Sequence, residues 1–316
     1  MQKTRNCVNR YPNSDLFRLL LALEVVFVHT WFTVDPKFNW DGFLMAVPCF
    51  LAISGFLVLQ SYEFSKSWLH FVWKRALRVL PAVIVSIILS GITFGLNGVY
   101  YSILNWLSGG LYDNHGEFNN GPLWSLAWEE FAYFCLMILW LAGAYKKTAY
   151  IWLLLVGSVV MVWQTANLSP HYRIITFLAP SFLVGNLMYL YRNTLLSIHR
   201  IVPWVILFLA INFKHTATST LLAGALNPIV QAFAVVWVSI AGIKAIPFEF
   251  PDISYGIYVY HFPVIAYLST TFGIGSVLEL FILSFLILIP LCLLSWYFIE
   301  KPILQYKNSA FNQKNN

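Results

Sequence analysis

Ten apolar segments follow one another along this chain, and short polar stretches separate them. Most of them have the roughly 20 residues that a helix needs to cross the hydrocarbon core of a bilayer. Backbone groups in lipid must bond within their own segment, so the pattern predicts an all-α bundle of about ten membrane-spanning helices. The predicted spans are 15–33, 42–61, 79–97, 122–144, 148–167, 172–191, 201–214, 219–243, 254–272 and 276–299.

Composition supports a single integral membrane domain over residues 1–316. Hydrophobic residues make up 59% of the chain, charged residues only 10%, and the mean hydropathy is +0.70. A soluble domain is closer to one quarter charged. The four cysteines are scattered, without a CxxC pair or metal-ligand spacing. We therefore interpret them as small apolar fillers and predict no metal site.

The distribution of basic residues predicts the orientation. An even number of spans puts both termini on one side. If that side is the cytoplasm, only Lys37, Arg173 and Lys214 lie outside, and every other Lys and Arg except the intramembrane Arg18 lies inside. This bias is typical of cytoplasmic termini, and it explains the net charge of +6 without nucleic-acid binding. The weakest predicted span is 201–214, because it is short and ends in Lys214 and His215. If it does not cross the membrane, the topology after it inverts and the bias weakens.

The first span carries three ionisable residues at membrane depth, namely Arg18, Glu24 and His29. Insertion of each into the bilayer costs at least ~2.5–3.5 kcal/mol on insertion scales. Such a group is therefore retained when it is paired, lines a water-filled cavity or has a function. Arg18 and His29 are about three helical turns apart, which puts them on one stripe, about 16 Å from each other along the axis. We predict that this stripe is one wall of an active site.

Polar residues of other spans fall at matching depths in this topology. Glu129 lies in the outer half of its span, as His29 does, and an acidic group is the usual means of orienting an imidazole. We therefore predict Glu129 as the orienter of His29, with the adjacent Glu130 as the open alternative. His261 and Ser54 fall nearer the middle of the membrane, and we predict that they line a polar passage from the inner face to His29.

Three arginines, Arg18, Arg75 and Arg78, fall together at the inner face and suit a polyanion, because guanidinium forks match phosphate oxygens. The axial distance from Arg18 to His29 is about the reach of a phosphopantetheine arm. This suggests an acyl-coenzyme A that enters from the cytoplasm, with its diphosphate at the arginines and its thioester near His29. The acyl-coenzyme A is a co-substrate in this hypothesis, and no permanently bound cofactor is expected.

Structural alternatives stay open for most of these residues. Arg18 is close enough to the interface to snorkel, and Arg75 and Arg78 are interfacial by position. Glu24 is a candidate for a structural pair with a buried polar group, and His261 for a satisfied interior histidine.

The longest loop, 98–121, is rich in Gly and Asn and contains Asp113, His115 and Glu117. We predict that it gates the site or binds the acceptor, because functional residues concentrate on loops held by a rigid scaffold.

Six segments, in order, resemble the acyltransferase 3 family of integral membrane acyltransferases. Together they cover residues 15 to 302. Ala127 and Glu24 depart from the family pattern. The six segments are Arg18 with His29, FLAISGF with Ser54, KRALRVLP with Arg75, Arg78 and Pro81, WSLAWE with Trp124 and Glu129, SYGIYVYHFP with Ser254, Tyr255, Tyr258 and His261, and the final WYFIEKP.

The resemblance implies transfer of an acyl group, often acetyl, from coenzyme A to a hydroxyl of a cell-surface polysaccharide or its lipid-linked precursor at a bacterial inner membrane. It also implies that Arg18 and His29 are the essential pair and that Arg75 and Arg78 help to hold the donor. Our assignment is His29, Glu129 and His261 as catalytic residues, Arg18, Arg75 and Arg78 at the donor, and Ser54, Trp124 and Tyr258 as substrate contacts.

Two chemical routes and two other classes of protein remain open at this point. His29 either removes the proton of the attacking hydroxyl or carries the acyl group itself. A transporter or flippase for a small glycolipid would also have ten spans and a polar passage, although no inverted repeat is evident. A non-enzymatic partner of a polysaccharide synthase is the third class. The expected partners are acyl-coenzyme A, a saccharide acceptor and membrane lipids.

Overall fold

The structure is a computed structural model that describes residues 11–37, 42–112, 119–165, 170–216, 221–244 and 251–307. Regular structure in these ranges is helical throughout, without a strand, and the predicted all-α class is confirmed. The α-helices are α1 (Pro12–Val34), α2 (Ala46–Glu63), α3 (Trp68–Ser108), α4 (Leu123–Leu141), α5 (Thr148–Gln164), α6 (Pro170–Leu190), α7 (Arg192–Ser197), α8 (Ile201–Thr216), α9 (Leu221–Trp237), α10 (Ser254–Phe272), α11 (Val277–Ser295) and α12 (Lys301–Leu304).

Every predicted span falls on one of these helices, from α1 to α6 and from α8 to α11. In the described part of the chain, four helical stretches are long and apolar enough to cross a membrane. The number of crossings and the side of the termini remain predictions. The four stretches are Asn13–Val34, Ala46–Glu63, Trp68–Ser108 and Val277–Lys307.

The outer face of α3 shows why the bundle needs a lipid environment. Ile84, Ile88 and Ile92 lie four residues apart and are 56%, 56% and 69% exposed. Residues at this spacing share one face of a helix. A continuous apolar face that no protein atom covers is stable only against lipid or another apolar surface. This is a membrane protein.

The segment 62–78 between the second and third predicted spans and the long loop 98–121 are both shorter than predicted, because α3 includes much of each. Ser67 caps its N-terminus, and the Ser67 hydroxyl accepts the His70 N–H at 3.1 Å. The helix ends at Ser108, where Gly109 takes a left-handed conformation (φ 60°). Asp113, His115 and Glu117 lie outside the described residues, so the gating role of this loop remains a prediction.

A sharp bend divides α3 at Gly95, which has φ 69° and ψ −162°. The chain folds back tightly there, since a Cβ at Gly98 would lie 2.5 Å from the carbonyl oxygen of Ser90. Residues eight apart in a straight helix are about 12 Å apart along the axis. The second arm of α3 therefore leaves the direction of the first and reaches the segment before α4.

Two apolar cores form the bundle. One joins α2, α5, α6, α8 and α9 with parts of α1, α3, α4 and α7, and the other joins α1, α3, α10 and α11 with the start of α4. In the first core, α2 and α6 cross closely, since a Cβ at Gly55 would lie 2.3 Å from the Phe182 carbonyl oxygen. Small residues permit such close crossings in membrane bundles. Phe50 packs against both cores.

Candidate active site

His29 of α1 and His261 of α10 form a hydrogen-bonded pair. His29 Nδ1 lies 2.6 Å from His261 Nε2, and the two rings are nearly parallel with centroids 4.9 Å apart. His261 is fully buried, whereas His29 is partly exposed on the wall of a cavity. The structure thus brings together two predicted site residues that are 232 positions apart in sequence.

The surroundings of His261 decide which nitrogens carry protons. His261 Nδ1 lies 2.8 Å from the Tyr258 carbonyl oxygen and 3.2 Å from that of Ile257. A carbonyl only accepts, so Nδ1 of His261 carries the hydrogen, and Nε2 of the neutral ring is an acceptor. His29 must then donate from Nδ1. This leaves His29 Nε2 as a bare lone pair, without a partner among the described residues.

A proline in α10 explains how the outer wall of the site is held. Pro263 has no N–H, so the Val259 carbonyl four residues earlier loses its helical partner. The Asn120 side-chain amide takes that place and donates to the Val259 oxygen at 2.8 Å. Asn105, on the second arm of α3, donates in turn to the carbonyl oxygen of Gly121 at 2.8 Å. The residues before α4 are therefore fixed against α10, beside the histidine pair.

The cavity beside His29 has a volume of about 320 Å³, and we call it the outer cavity after the predicted topology. Its size is at the lower end of the range for small-molecule pockets. The predicted substrate residues Trp124 and Tyr258 both line it, next to His29. The full lining is Glu24, Val25, Val28, His29, Leu44, Ala46, Val47, Gly121, Pro122, Trp124, Tyr258 and Phe262.

Glu24 pairs with backbone amides. Its carboxylate accepts the N–H groups of Phe43 and Leu44, the second at 3.0 Å. Gly42 makes this approach possible, because its φ is +93° and a Cβ there would lie 2.7 Å from Glu24 Oε1. These bonds hold Phe43 and Leu44 against α1 in a non-helical conformation, and α2 begins at Ala46 instead of at the predicted residue 42. The structural role that we left open for Glu24 fits these contacts.

The predicted pairing of Glu129 with His29 is wrong. The Glu129 carboxylate accepts the hydroxyl groups of Ser54 and Tyr133, and His261 occupies the place beside His29. Depth along an axis does not determine rotation about it, and α4 turns Glu129 toward α2. Glu129 also interacts electrostatically with Arg18 and Arg75, so it belongs to the inner part of the site.

A second, narrow cavity of about 30 Å³ lies between the outer cavity and the arginines. Arg18, Ser54 and Glu129 line it. Tyr258 and Val47 line both cavities, and the Tyr258 hydroxyl lies 2.7 Å from Ser125 Oγ. Tyr258 and Val47 therefore lie between the two cavities, and the passage itself remains a prediction.

The arginines cluster at the inner end. Arg78 is hydrogen-bonded to Asp252, and Arg18 Nη1 lies 3.7 Å from the same carboxylate. Arg78 Nη1 also lies 3.9 Å from Glu300 Oε2. Arg75 donates to Ser61 Oγ at 3.3 Å, and its guanidinium lies over the Tyr133 ring. The structure supports the predicted grouping of all three arginines.

Asp252, in the segment before α10, was not among the predicted site residues. Burial acts to raise the pKa of its carboxyl, but Arg78 and Arg18 outweigh burial and hold this pKa below its usual value. The acid is therefore ionised at neutral pH and offsets part of the charge of two arginines. Sequence analysis missed it because a single acid in a connector has no periodicity to mark it.

Glu130 lies apart from the histidines. It lines a mainly apolar groove of about 270 Å³ between α3 and α4, together with Arg75 and Tyr133. Neither Glu129 nor Glu130 therefore contacts His29. Both glutamates are therefore excluded as the partner of His29.

The site thus combines an imidazole pair between apolar helices with a cluster of arginines, in a helical membrane protein. The chain belongs to the acyltransferase 3 family, because the family model, described as an acyltransferase domain, matches residues 11–301. It is accordingly an acyltransferase, which separates it from the transporter and the assembly partner considered above.

Two curated relatives align with nearly the whole chain. Nodulation protein 10 of Rhizobium leguminosarum bv. viciae is 28% identical, covering 94% of this chain and 94% of its own length. The O-acetyl transferase of Shigella phage Sf6 is 26% identical, covering 92% of this chain and 95% of its own length. No solved structure matches the chain.

Proposed function

We propose that this protein is an O-acetyltransferase of the bacterial inner membrane. It moves an acetyl group from cytoplasmic acetyl-coenzyme A to a hydroxyl of a surface polysaccharide or of its lipid-linked precursor. Family membership supports acyl transfer, and the name of the phage relative supports acetyl and oxygen. Ten spans with both termini in the cytoplasm put the arginines on the donor side and His29 toward the acceptor side.

The observation that carries the proposal is the bare Nε2 of His29 on the wall of the outer cavity. A hydroxyl is a poor nucleophile unless a base removes its proton as it attacks. His261 fixes the tautomer of His29 through Nδ1, and its two carbonyl partners fix its own. The pair therefore presents one base, in one orientation, to whatever enters the cavity.

The transfer then follows from ordinary acid–base chemistry. His29 Nε2 takes the acceptor hydroxyl proton while the oxygen attacks the thioester carbon. The carbon–sulfur bond breaks as the tetrahedral intermediate collapses, and the His29 imidazolium returns the proton to the thiolate of coenzyme A. While His29 is protonated, its Nδ1–H bond to the neutral His261 ring remains in place.

The inner part of the site suits the donor. Arg18, Arg75 and Arg78 form an anion site at the entrance, and the pantetheine arm follows the narrow cavity past Ser54 to Tyr258. Tyr258 borders both cavities, so its hydroxyl is placed to contact the arm where it enters the outer chamber.

A covalent variant uses the same nitrogen. In that route His29 Nε2 attacks the thioester first and the acceptor hydroxyl then takes the acyl group from the histidine. Incubating the protein with acetyl-coenzyme A alone separates the two routes. A gain of one acetyl mass at His29 supports the covalent route, and an unmodified protein that still transfers in the presence of acceptor supports the direct one.

The function is tested with purified protein in vesicles, radiolabelled acetyl-coenzyme A and surface glycan from a strain that lacks the gene. We expect label in the glycan and release of free coenzyme A. The surface glycan of the deletion strain should also lack one acetyl mass relative to its parent. An intact thioester in the vesicles, together with identical glycan masses, would refute the proposed reaction.

A further inference from the structure

Two lysines extend the basic cluster beyond the three arginines. Lys74 lies on the first arm of α3, and its Nζ donates to the Ser61 carbonyl oxygen at 3.2 Å and to Ser65 Oγ at 3.1 Å. These are neutral partners, at the C-terminal end of α2. Lys74 is thereby held beside Arg75, which donates to the Ser61 hydroxyl.

Lys307 reaches the same place from the other end of the chain. The His70 ring donates from Nε2 to the Lys307 carbonyl oxygen at 3.0 Å, and Trp73 Nε1 donates to the Tyr306 carbonyl oxygen at 3.3 Å. Both donors lie in the first turns of α3, directly before Lys74. Electrostatic interactions connect the Lys307 ammonium with Arg78, Arg75 and Lys74.

The positive charges fall into two groups. Arg18 and Arg78 share Asp252, as described above. Lys74, Arg75 and Lys307 form no ion pair with a carboxylate in the part of the chain that the structure describes. The acids that influence them at longer range are Asp252 for Lys307 and Glu129 for Arg75. In addition, the Arg75 Nε is buried without a hydrogen-bond partner. Three like charges side by side repel one another unless an anion joins them.

Coenzyme A carries two separate anionic groups, the diphosphate and the 3′-phosphate on its ribose. We propose that Lys74, Lys307 and Arg75 bind this 3′-phosphate, while Arg18 and Arg78 hold the diphosphate. The inference rests on the proposed donor and adds a specificity site to it. A compact ammonium suits a phosphomonoester as a point charge, and the fork of Arg75 adds directed hydrogen bonds.

The test compares acetyl-coenzyme A with acetyl-3′-dephospho-coenzyme A, which lacks only that phosphate. Anionic lipid headgroups offer the same chemistry, so the assay uses vesicles of neutral phosphatidylcholine and repeats them with phosphatidylglycerol. Charge-assisted hydrogen bonds predict a kcat/KM for the complete donor that is about 10-fold to 100-fold higher in the wild type.

Variants of the two lysines test whether the preference for the complete donor depends on them. The double variant Lys74→Met with Lys307→Met should lose most of its activity with acetyl-coenzyme A and keep its activity with the dephospho donor. The ratio of kcat/KM for the complete donor to kcat/KM for the dephospho donor should then fall to about 1–3. Lys146→Met, which removes a lysine from the turn between α4 and α5, should keep the wild-type ratio. A misfolded double variant would lose both donors, and then the single variants Lys74→Met and Lys307→Met should each lower the ratio about 3-fold.

Each result has a distinct meaning. Equal use of both donors by the wild type, or an unchanged ratio in the lysine variants, overturns the 3′-phosphate site and leaves the proposed transfer intact. An effect of the lysine variants that appears only with phosphatidylglycerol, and that is equal for both donors, assigns the lysines to lipid headgroups and also overturns it. No transfer from either donor contradicts the proposed function itself.

Discussion

At the inner end of the passage, Arg18 and Arg78 face a shared carboxylate, whereas at the outer end His29 and His261 face each other. The inner end is rich in charge and balances part of it with Asp252 and Glu300. The outer end holds two imidazoles and leaves one lone pair bare. The difference suggests a division of labour in which the inner end binds the donor and the outer end performs the proton transfer.

Removal of the proposed base should have the largest effect. His29→Ala should lower kcat about 10³-fold or more, because a positioned general base contributes roughly 10²–10⁴-fold. The protein should still insert and accumulate, as α1 loses only a cavity-lining side chain. The measurement is acetyl transfer at saturating donor. His199→Ala, in the exposed turn before α8, is the matched control, and normal transfer by His29→Ala would disprove the assignment.

The second test concerns the partner of the base. His261→Leu removes the acceptor for His29 Nδ1–H and should lower kcat about 100-fold without raising the donor KM, since the ring loses its orientation. His261→Gln keeps a side-chain oxygen that accepts this hydrogen, so about a tenth of the activity should return. Equal rates for the two variants would show that His261 acts through packing and not through its hydrogen bond.

At the inner end the expected effect is on affinity. Arg78→Ala should raise the donor KM about 10-fold to 100-fold and change kcat by less than about 3-fold, because it removes charge-assisted hydrogen bonds made before the chemical step. Steady-state kinetics over a range of acetyl-coenzyme A concentrations measure both constants. Arg200→Ala, on an exposed residue before α8, serves as the control. A fall in kcat at unchanged KM would remove the division between the two ends.

The smallest effect should come from Asp252→Asn, which imitates protonation of the acid. Arg78 and Arg18 hold the pKa of Asp252 below its usual value. A lowered pKa stabilises the folded state above about pH 4. That contribution is complete at neutral pH. It disappears as the pH falls through the pKa that Asp252 has in the folded state.

We expect Asp252→Asn to lower the stability by about 1–3 kcal/mol at pH 7, because it leaves two arginines less well paired. The loss should vanish at the acidic end of the range. Thermal inactivation in detergent at several pH values measures it. A destabilisation that is the same at every pH would show that the bridge contributes nothing.

Much of the site followed from helical periodicity. The spacing of Arg18 and His29 on one apolar helix placed both on the passage, and the six family segments marked Ser54, Arg75, Arg78, Tyr258 and His261. Helix boundaries were close wherever an apolar run ended at a polar residue. They were less accurate at α3, where Ser67 caps the helix inside the segment between the second and third predicted spans.

Helical periodicity did not predict which side chains of different helices contact each other. Depth along the membrane normal matched His29 with Glu129, but rotation about α4 turns Glu129 toward Ser54 and Tyr133. The true partner, His261, depends on how α10 packs against α1. The same limit hid Asp252, which acts only because two distant arginines converge on it.

Nitrogen NMR of the protein with ¹⁵N-labelled histidine examines the protonation of the pair itself, with the signals assigned through His29→Ala and His261→Gln. At neutral pH both rings should be neutral, each with its hydrogen on Nδ1, and His29 Nε2 should carry the signal of an unprotonated nitrogen. That nitrogen should respond when acetyl-coenzyme A is added. A hydrogen on Nε2 of His29 would contradict the assignment of this atom as the base.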